Sequence, residues 1–195
     1  MSSHKTNGRV FWTAAVVTII LDVVTKALAV RHLQPERVPH RIIGDVVRFT
    51  LAFNPGAAFS MWLGPHSRYI FGTFAVVALV ILYRLYQTSA PDDRLRVLAL
   101  GLAWGGAAGN LLDRFQSSAG VVDFIDIGVG DVRFWTFNVA DSAVTIGALL
   151  LAWVLWREDR RELATRAAEA AARDDLPPAT VAPEPAENFQ PPAEG

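Results

Sequence analysis

The stretch VFWTAAVVTIILDVVTKALAV, Val10 to Val30, decides the fold. It is apolar almost throughout, is framed by Arg9 and Arg31, and has the length needed to cross a hydrocarbon core of roughly 30 Å. It is longer than the apolar run of a cleaved leader, and no clean small-residue cleavage site follows it, so it reads as a retained transmembrane helix. Three further apolar runs lie at Tyr69 to Leu85, Val97 to Leu112 and Phe137 to Trp156, each bounded by charge, Pro or polar residues. The expectation is an all-α integral membrane protein with four transmembrane helices, at about 10–30, 69–85, 97–112 and 137–156. Composition agrees, because 52% hydrophobic residues and a mean hydropathy of +0.28 are high for a soluble domain.

An even number of crossings puts both termini on one side. The N-terminal tail carries Lys5 and Arg9, the short link between the second and third runs carries Arg84, Arg94 and Arg96, and the last run exits into Arg157, Arg160 and Arg161. By the positive-inside rule these flanks are cytoplasmic, which leaves the Arg31–Arg68 and Arg114–Thr136 loops on the opposite side. Residues 1–9 are then a cytoplasmic tail and 10–157 the membrane domain. Residues 158–195 form an Ala/Pro/Glu-rich cytoplasmic tail, able to continue as helix to about Arg173 and disordered from about 176. Within the first long loop, Asp45 to Phe53 is rich in β-branched and aromatic residues, and Gly44 and Asn54-Pro55-Gly56 punctuate its ends. A short extended ribbon at the membrane surface is expected there.

Several function classes drop out early. A net charge of −1 with no Lys/Arg stripe offers nucleic acid no footprint. With no Cys, there is no disulfide framework, thiolate metal site or Cys nucleophile. His4, His32, His40 and His66 lack metal-ligand spacing, and no Ser sits in a nucleophile elbow.

What remains is carboxylates. A central Asp or Lys costs roughly 2.5–3.5 kcal/mol on insertion into a bilayer, so each needs an account. Asp22 and Lys26 are four apart and can pair on one helical face. Gly101, Gly105 and Gly109 repeat at four-residue spacing and let another helix approach closely. Beyond them Asn110, Asp113 and Arg114 share a face, either as an interfacial anchor with a local Asp–Arg pair or as part of a site. Asn138 followed by Asp141 resembles a capping box, which places Asp141 in the first turn of the fourth helix, where the macrodipole favours a carboxylate. In Val121 to Ile127, Asp123 and Asp126 stand among large apolar residues of what reads as an amphipathic loop.

Topology brings Asp22, Asn54, Asn110, Asp113, Asp123, Asn138 and Asp141 to one membrane side, where they can assemble one polar pocket. Two carboxylates held close cannot both ionise easily, and such a pair can activate water. A proton or cation path through Asp22, Asp113, Asp123 and Asp141 is the rival reading, and a noncatalytic scaffold built on the glycine stripe is a third.

Five motifs in series resemble the lipoprotein signal peptidases, or signal peptidase II. They are Asp22-x-x-x-Lys26, Asn54 to Ser60, Gly105 to Arg114, Val121-Val122-Asp123-Phe124 and Phe137 to Asp141. The resemblance spans about Val10 to Trp156. It implies four membrane helices with a small extracytoplasmic β-rich cradle in the cell membrane of a bacterium. It also implies cleavage of diacylglyceryl-modified prolipoproteins before the lipidated cysteine, without metal or cofactor. Carried over, Asp123 and Asp141 are the catalytic pair; Asn54, Gly56, Asn110, Arg114 and Asn138 surround the substrate; Asp22, Lys26 and Asp113 support the pocket. The expected partners are those prolipoproteins and membrane lipids, around a monomeric enzyme.

Overall fold

The computed structural model describes residues 2–56 and 64–174. Four long helices and four strands follow in the order α1 (Ser2–His32), β1 (His40–Ile43), β2 (Val47–Asn54), α2 (Ser67–Gln87), α3 (Arg94–Gln116), β3 (Val121–Val129), β4 (Val132–Arg133) and α4 (Val139–Asp174). By internal contacts the chain divides into Met1–Trp156 and Arg157–Gly195. The first unit carries the site. The described part of the second, 157–174, is helix rich in Ala, Arg and Glu, all strong helix formers.

All four helices are long and apolar enough to cross a membrane. Their exposed side chains explain how they meet it. On α1, Val16, Ile20, Val24 and Leu28 are open, as are Phe74, Val77 and Ile81 on α2 and Leu149, Trp153 and Trp156 on α4. Such surfaces are stable only against lipid. α3 is the most enclosed of the four, and its glycines are the reason. A Cβ at Gly101 would stand 2.7 Å from the Phe11 carbonyl oxygen, and one at Gly105 equally close to that of Ala15. The stripe thus seats α3 directly on the backbone of α1. Gly106 meets Ala140 and Val144 of α4 in the same way. Near the opposite end from the site, Phe11 stacks on Tyr86 at 4.2 Å between centroids and locks α1 to α2.

The helices outrun the apolar stretches that announce them, because hydropathy marks only the part that crosses lipid while helix propensity carries the chain further. At the start of α4 the difference is informative. The helix begins at Val139, since Asn138 is its cap: Asn138 Oδ1 accepts the Asp141 amide at 2.9 Å, and Asp141 Oδ2 accepts the Asn138 amide at 3.2 Å.

The strands form one antiparallel sheet in the order β1-β2-β3-β4. β2 occupies the expected ribbon. β3 corrects the reading of Val121 to Ile127 as a loop: the segment pairs along β2, with Ala52 opposite Asp123 and Asn54 opposite Val121. Its β-branched and aromatic residues need neighbours on a pleated surface, and β2 supplies them. The sheet packs on the end of α1 through Ala29, Leu33, Leu51, Val122 and Phe124. Gly120, at φ +105°, lies against the Asn54 carbonyl where no side chain fits, which lets β3 begin beside Asn54.

Candidate active site

Three elements converge on one polar centre where α1 and α3 end and α4 begins. Lys26 is its deepest cation, 3% exposed. Its three donors are all taken, by Asp22 Oδ2 at 2.7 Å, Asp113 Oδ2 at 2.8 Å and Asn110 Oδ1 at 3.0 Å. The expected Asp22–Lys26 pair is therefore part of a larger cluster. Each carboxylate of that cluster also ties down backbone: Asp22 Oδ1 accepts the Ala140 amide at 2.9 Å, and Asp113 Oδ2 accepts the Val122 amide at 3.1 Å. α1 is thereby fixed to the first turn of α4, and α3 to the start of β3. The local Asp113–Arg114 pair is replaced by this arrangement. Arg114 turns the other way and donates to the carbonyls of Asn110, at 2.9 Å, and Gly56, at 2.8 Å.

Beside this cluster stand Asp123 and Asp141, joined through Asn138. The Asn138 side chain is fully buried; its Nδ2 donates to Asp123 Oδ1 at 2.8 Å and lies near Asn110 Oδ1 and the Val122 carbonyl. Its backbone and Oδ1 hold Asp141 through the cap. The second oxygen of each carboxylate takes another amide: Asn54 Nδ2 reaches Asp123 Oδ2 at 3.3 Å, and Asn110 Nδ2 reaches Asp141 Oδ1 at 2.7 Å. Asn54 is itself set by a turn in which its Oδ1 accepts the Gly56 amide at 3.0 Å.

Both carboxylates line a cavity of about 890 Å³, with Asn54, Asn110 and Arg114 on its polar side and Phe53, Phe134, Phe137 and Val144 on its apolar side. That volume suits an extended peptide or a lipid-sized group. Burial, with the negative charge of Asp141 as the second cause, pushes the Asp123 carboxyl up to about 7. Asp123 therefore holds a proton through much of the neutral range. Among the described residues no group of three or more His, Asp or Glu side chains is placed to hold a metal ion.

The structure thus brings Asp22, Lys26, Asn54, Gly56, Asn110, Asp113, Arg114, Asp123, Asn138 and Asp141 into one connected network. Ala57 to Ser60 of the Asn54 motif, and the tail from 176, lie outside the described residues. The sequence reading passed over Arg37, Trp135, Thr136 and Ser142, which also line the cavity. Arg37 arrives there through a left-handed backbone at φ +63° and a hydrogen bond from its backbone N–H to the Leu51 carbonyl, for which the sequence carries no signal. Asp126, by contrast, lies off this site. It is 5% exposed, accepts from Thr50 at 3.0 Å and pairs with Arg133.

Membrane-length helices thus hold a carboxylate pair, bridged by Asn138, at the wall of a peptide-sized cavity. The model of the signal peptidase (SPase) II family matches residues 14–157, and the chain belongs to that family. A lipoprotein signal peptidase of Geobacillus kaustophilus is 44% identical over 142 residues, covering 72% of this chain and 88% of the relative. One from Mycolicibacterium smegmatis is also 44% identical, over 75% of this chain and 61% of the relative. Among solved structures, a bacterial membrane enzyme determined in meso at 2.3 Å superposes with a TM-score of 0.68 at 29% identity, covering 75% of this chain and 87% of its own.

Proposed function

We propose that this protein removes signal peptides from bacterial prolipoproteins as an aspartic endopeptidase, with Asp123 and Asp141 as the catalytic pair. The observation that carries the assignment is the Asn138 bridge, which holds one carboxylate from β3 and one from α4 at a single cavity wall. Family membership supports the reaction class, and the substrate is the prolipoprotein, cut before its diacylglyceryl-modified cysteine.

The chemistry follows from the two environments. Asp123, raised to about 7, is the group that carries the proton. Asp123, in the apolar setting of β3, is the protonated member and polarises the scissile carbonyl. Asp141, in the first turn of α4, accepts a proton from the attacking water. The water oxygen adds to the carbonyl carbon and gives a tetrahedral diol, whose oxygens find donors in Arg114 and Asn54. Collapse breaks the C–N bond as the proton now on Asp141 passes to the leaving amine, and Asp123 recovers its own proton from the diol.

Of the residues expected around the substrate, Asn54, Asn110 and Arg114 face it from the cavity wall and buried Gly56 and Asn138 stand behind them, with Asp22, Lys26 and Asp113 as the support. The enzyme works as a monomer, because one chain supplies both carboxylates. Both termini are cytoplasmic and the site lies near the extracytoplasmic face, with 10–157 as the peptidase domain between a short tail and the 158–195 tail; the basic flanks at Lys5, Arg9, Arg94, Arg96 and Arg157 support this orientation. The test is gel-resolved cleavage of a diacylglyceryl-modified prolipoprotein by wild type, Asp123→Asn and Asp141→Asn, with folding checked in the same detergent. Cleavage by wild type alone is expected. Near wild-type cleavage by either folded variant removes that residue from the mechanism.

A further inference from the structure

Among the described residues, two arginines line the cavity that holds Asp123 and Asp141, and they are held differently. Arg114 donates to the carbonyls of Asn110 and Gly56. Arg37 is exposed, and its guanidinium makes no hydrogen bond or ion pair among the described residues. Other arginines of the sheet are paired, Arg41 and Arg48 with Asp45 and Arg133 with Asp126. The place of Arg37 is nevertheless set by the backbone. Its φ of +63° is a left-handed conformation that residues with a side chain rarely adopt, and its N–H bonds the Leu51 carbonyl at 2.9 Å. That bond lays Arg37 against β2, on the edge that β3 leaves open, one residue from the Ala52 that lies opposite Asp123.

What such a cation meets follows from the order of elements across the cavity. Phe137, just ahead of α4, bridges to Ile125 on β3, so the start of α4, β3, β2 and Arg37 succeed one another. Val144, Thr145 and Ile146 carry the α4 side of the cavity into the stretch that crosses the membrane. The apolar run of a bound signal peptide lies on that side. The chain that passes Arg37 is therefore the other side of the scissile bond, the start of the mature protein. Two strand spacings, roughly 10 Å, separate the Arg37 backbone from that of Asp123, and an extended peptide covers that gap in about three residues. We propose that Arg37 is a specificity-determining residue, which pairs with an acidic side chain roughly two to four residues after the lipidated cysteine and disfavours a basic one there. The inference rests on the proposed function and adds to it a preference for charge. Without the Arg37 cation, an acid so placed would face the negative charge of Asp141.

The test uses three diacylglyceryl-modified prolipoproteins that differ only in the second to fourth residues after the cysteine, which are all Glu, all Gln or all Lys. Each is cleaved by wild type, Arg37→Gln and Arg37→Glu in one detergent, and kcat/KM is read from initial rates. Wild type is expected to favour Glu over Gln and Gln over Lys, by about three- to fivefold at each step, as suits a partly exposed ion pair. The preference should flatten in Arg37→Gln and reverse in Arg37→Glu. Ratios taken within one enzyme cancel any general loss of activity from a change at the left-handed position. Equal cleavage of the three by wild type, or an acid preference that both variants keep, overturns the inference and leaves the peptidase assignment standing. Absence of cleavage of all three by wild type overturns that assignment, and the inference with it.

Discussion

Two groups of carboxylates lie side by side in this molecule and differ in what they are bonded to. Asp22 and Asp113 share Lys26, and each also accepts a backbone amide from another element. Asp123 and Asp141 are held by the side-chain amides of Asn54, Asn110 and Asn138, and they line the cavity. The first group shares one ammonium between its two carboxylates, and its geometry is spent on joining α1, α3, β3 and α4. The second receives hydrogen bonds that fix position without supplying a full positive charge, so its proton stays available. Each group has one buried acid, Asp22 or Asp123, and the bonding partner separates support from chemistry.

The largest effect should fall on cleavage. Asp123→Asn or Asp141→Asn is expected to lower turnover by at least about 10³-fold while the protein still folds. Lys26→Met should invert the pattern. It leaves buried Asp22 and half-buried Asp113 without their cation, at about 3–5 kcal/mol in thermal or denaturant unfolding. Replacing the whole group, Asp22→Asn and Asp113→Asn together with Lys26→Met, should recover part of that loss, because no uncompensated charge is left inside. If Lys26→Met unfolds no more easily than wild type and loses only turnover, the division drawn above is wrong.

Asn138→Ala tests the point where the two groups meet. It removes the cap of α4, about 1 kcal/mol, and also the donor to Asp123. Turnover is expected to fall about 10²-fold, with KM for the prolipoprotein changed far less. Asn138→Asp keeps the capping oxygen but sets a third carboxylate, fully buried, beside the pair, so at neutral pH it should regain neither rate nor stability.

How much of this was legible in the sequence varied with the kind of signal. The four crossings stood out because lipid demands long apolar runs, and the glycine stripe because close approach leaves a fixed spacing. The Asn138–Asp141 box was readable because capping is local. The partner of Asp113 was not, since its two nearest bonding groups, Lys26 and the Val122 amide, come from distant or unpaired-looking segments. β3 was missed although Val121, Val122, Phe124, Ile125 and Ile127 crowd one short stretch and Gly130-Asp131 marks a hairpin turn. The acids at 123 and 126 drew it toward a loop, and only pairing with β2 explains how each finds a buried partner. Arg37 depends on one left-handed residue and a hydrogen bond to the Leu51 carbonyl, which no periodicity encodes.

The smallest predicted effect concerns pH, and it sharpens the contrast between the two groups. Asp123 has its carboxyl raised from an ordinary 3.8 to about 7 by burial and by Asp141. Raised in the folded state, the group binds its proton more tightly there than in the unfolded chain. Its contribution to stability is full below about 4, is lost as pH rises toward 7, and is constant above that. Asp123→Asn never ionises, so it should be more stable than wild type at pH 8, by about 1–2 kcal/mol once the loss of the Asn54 acceptor is set against the relief. Near pH 4 the advantage should vanish. Asp113→Asn should weaken the fold at pH 8 instead, because it strips Lys26 of a partner. Thermal unfolding of both variants at the two pH values decides the matter: a stabilising Asp113→Asn, or an Asp123→Asn without any pH-dependent gain, would mean that these two carboxylates do not differ in the way their partners imply.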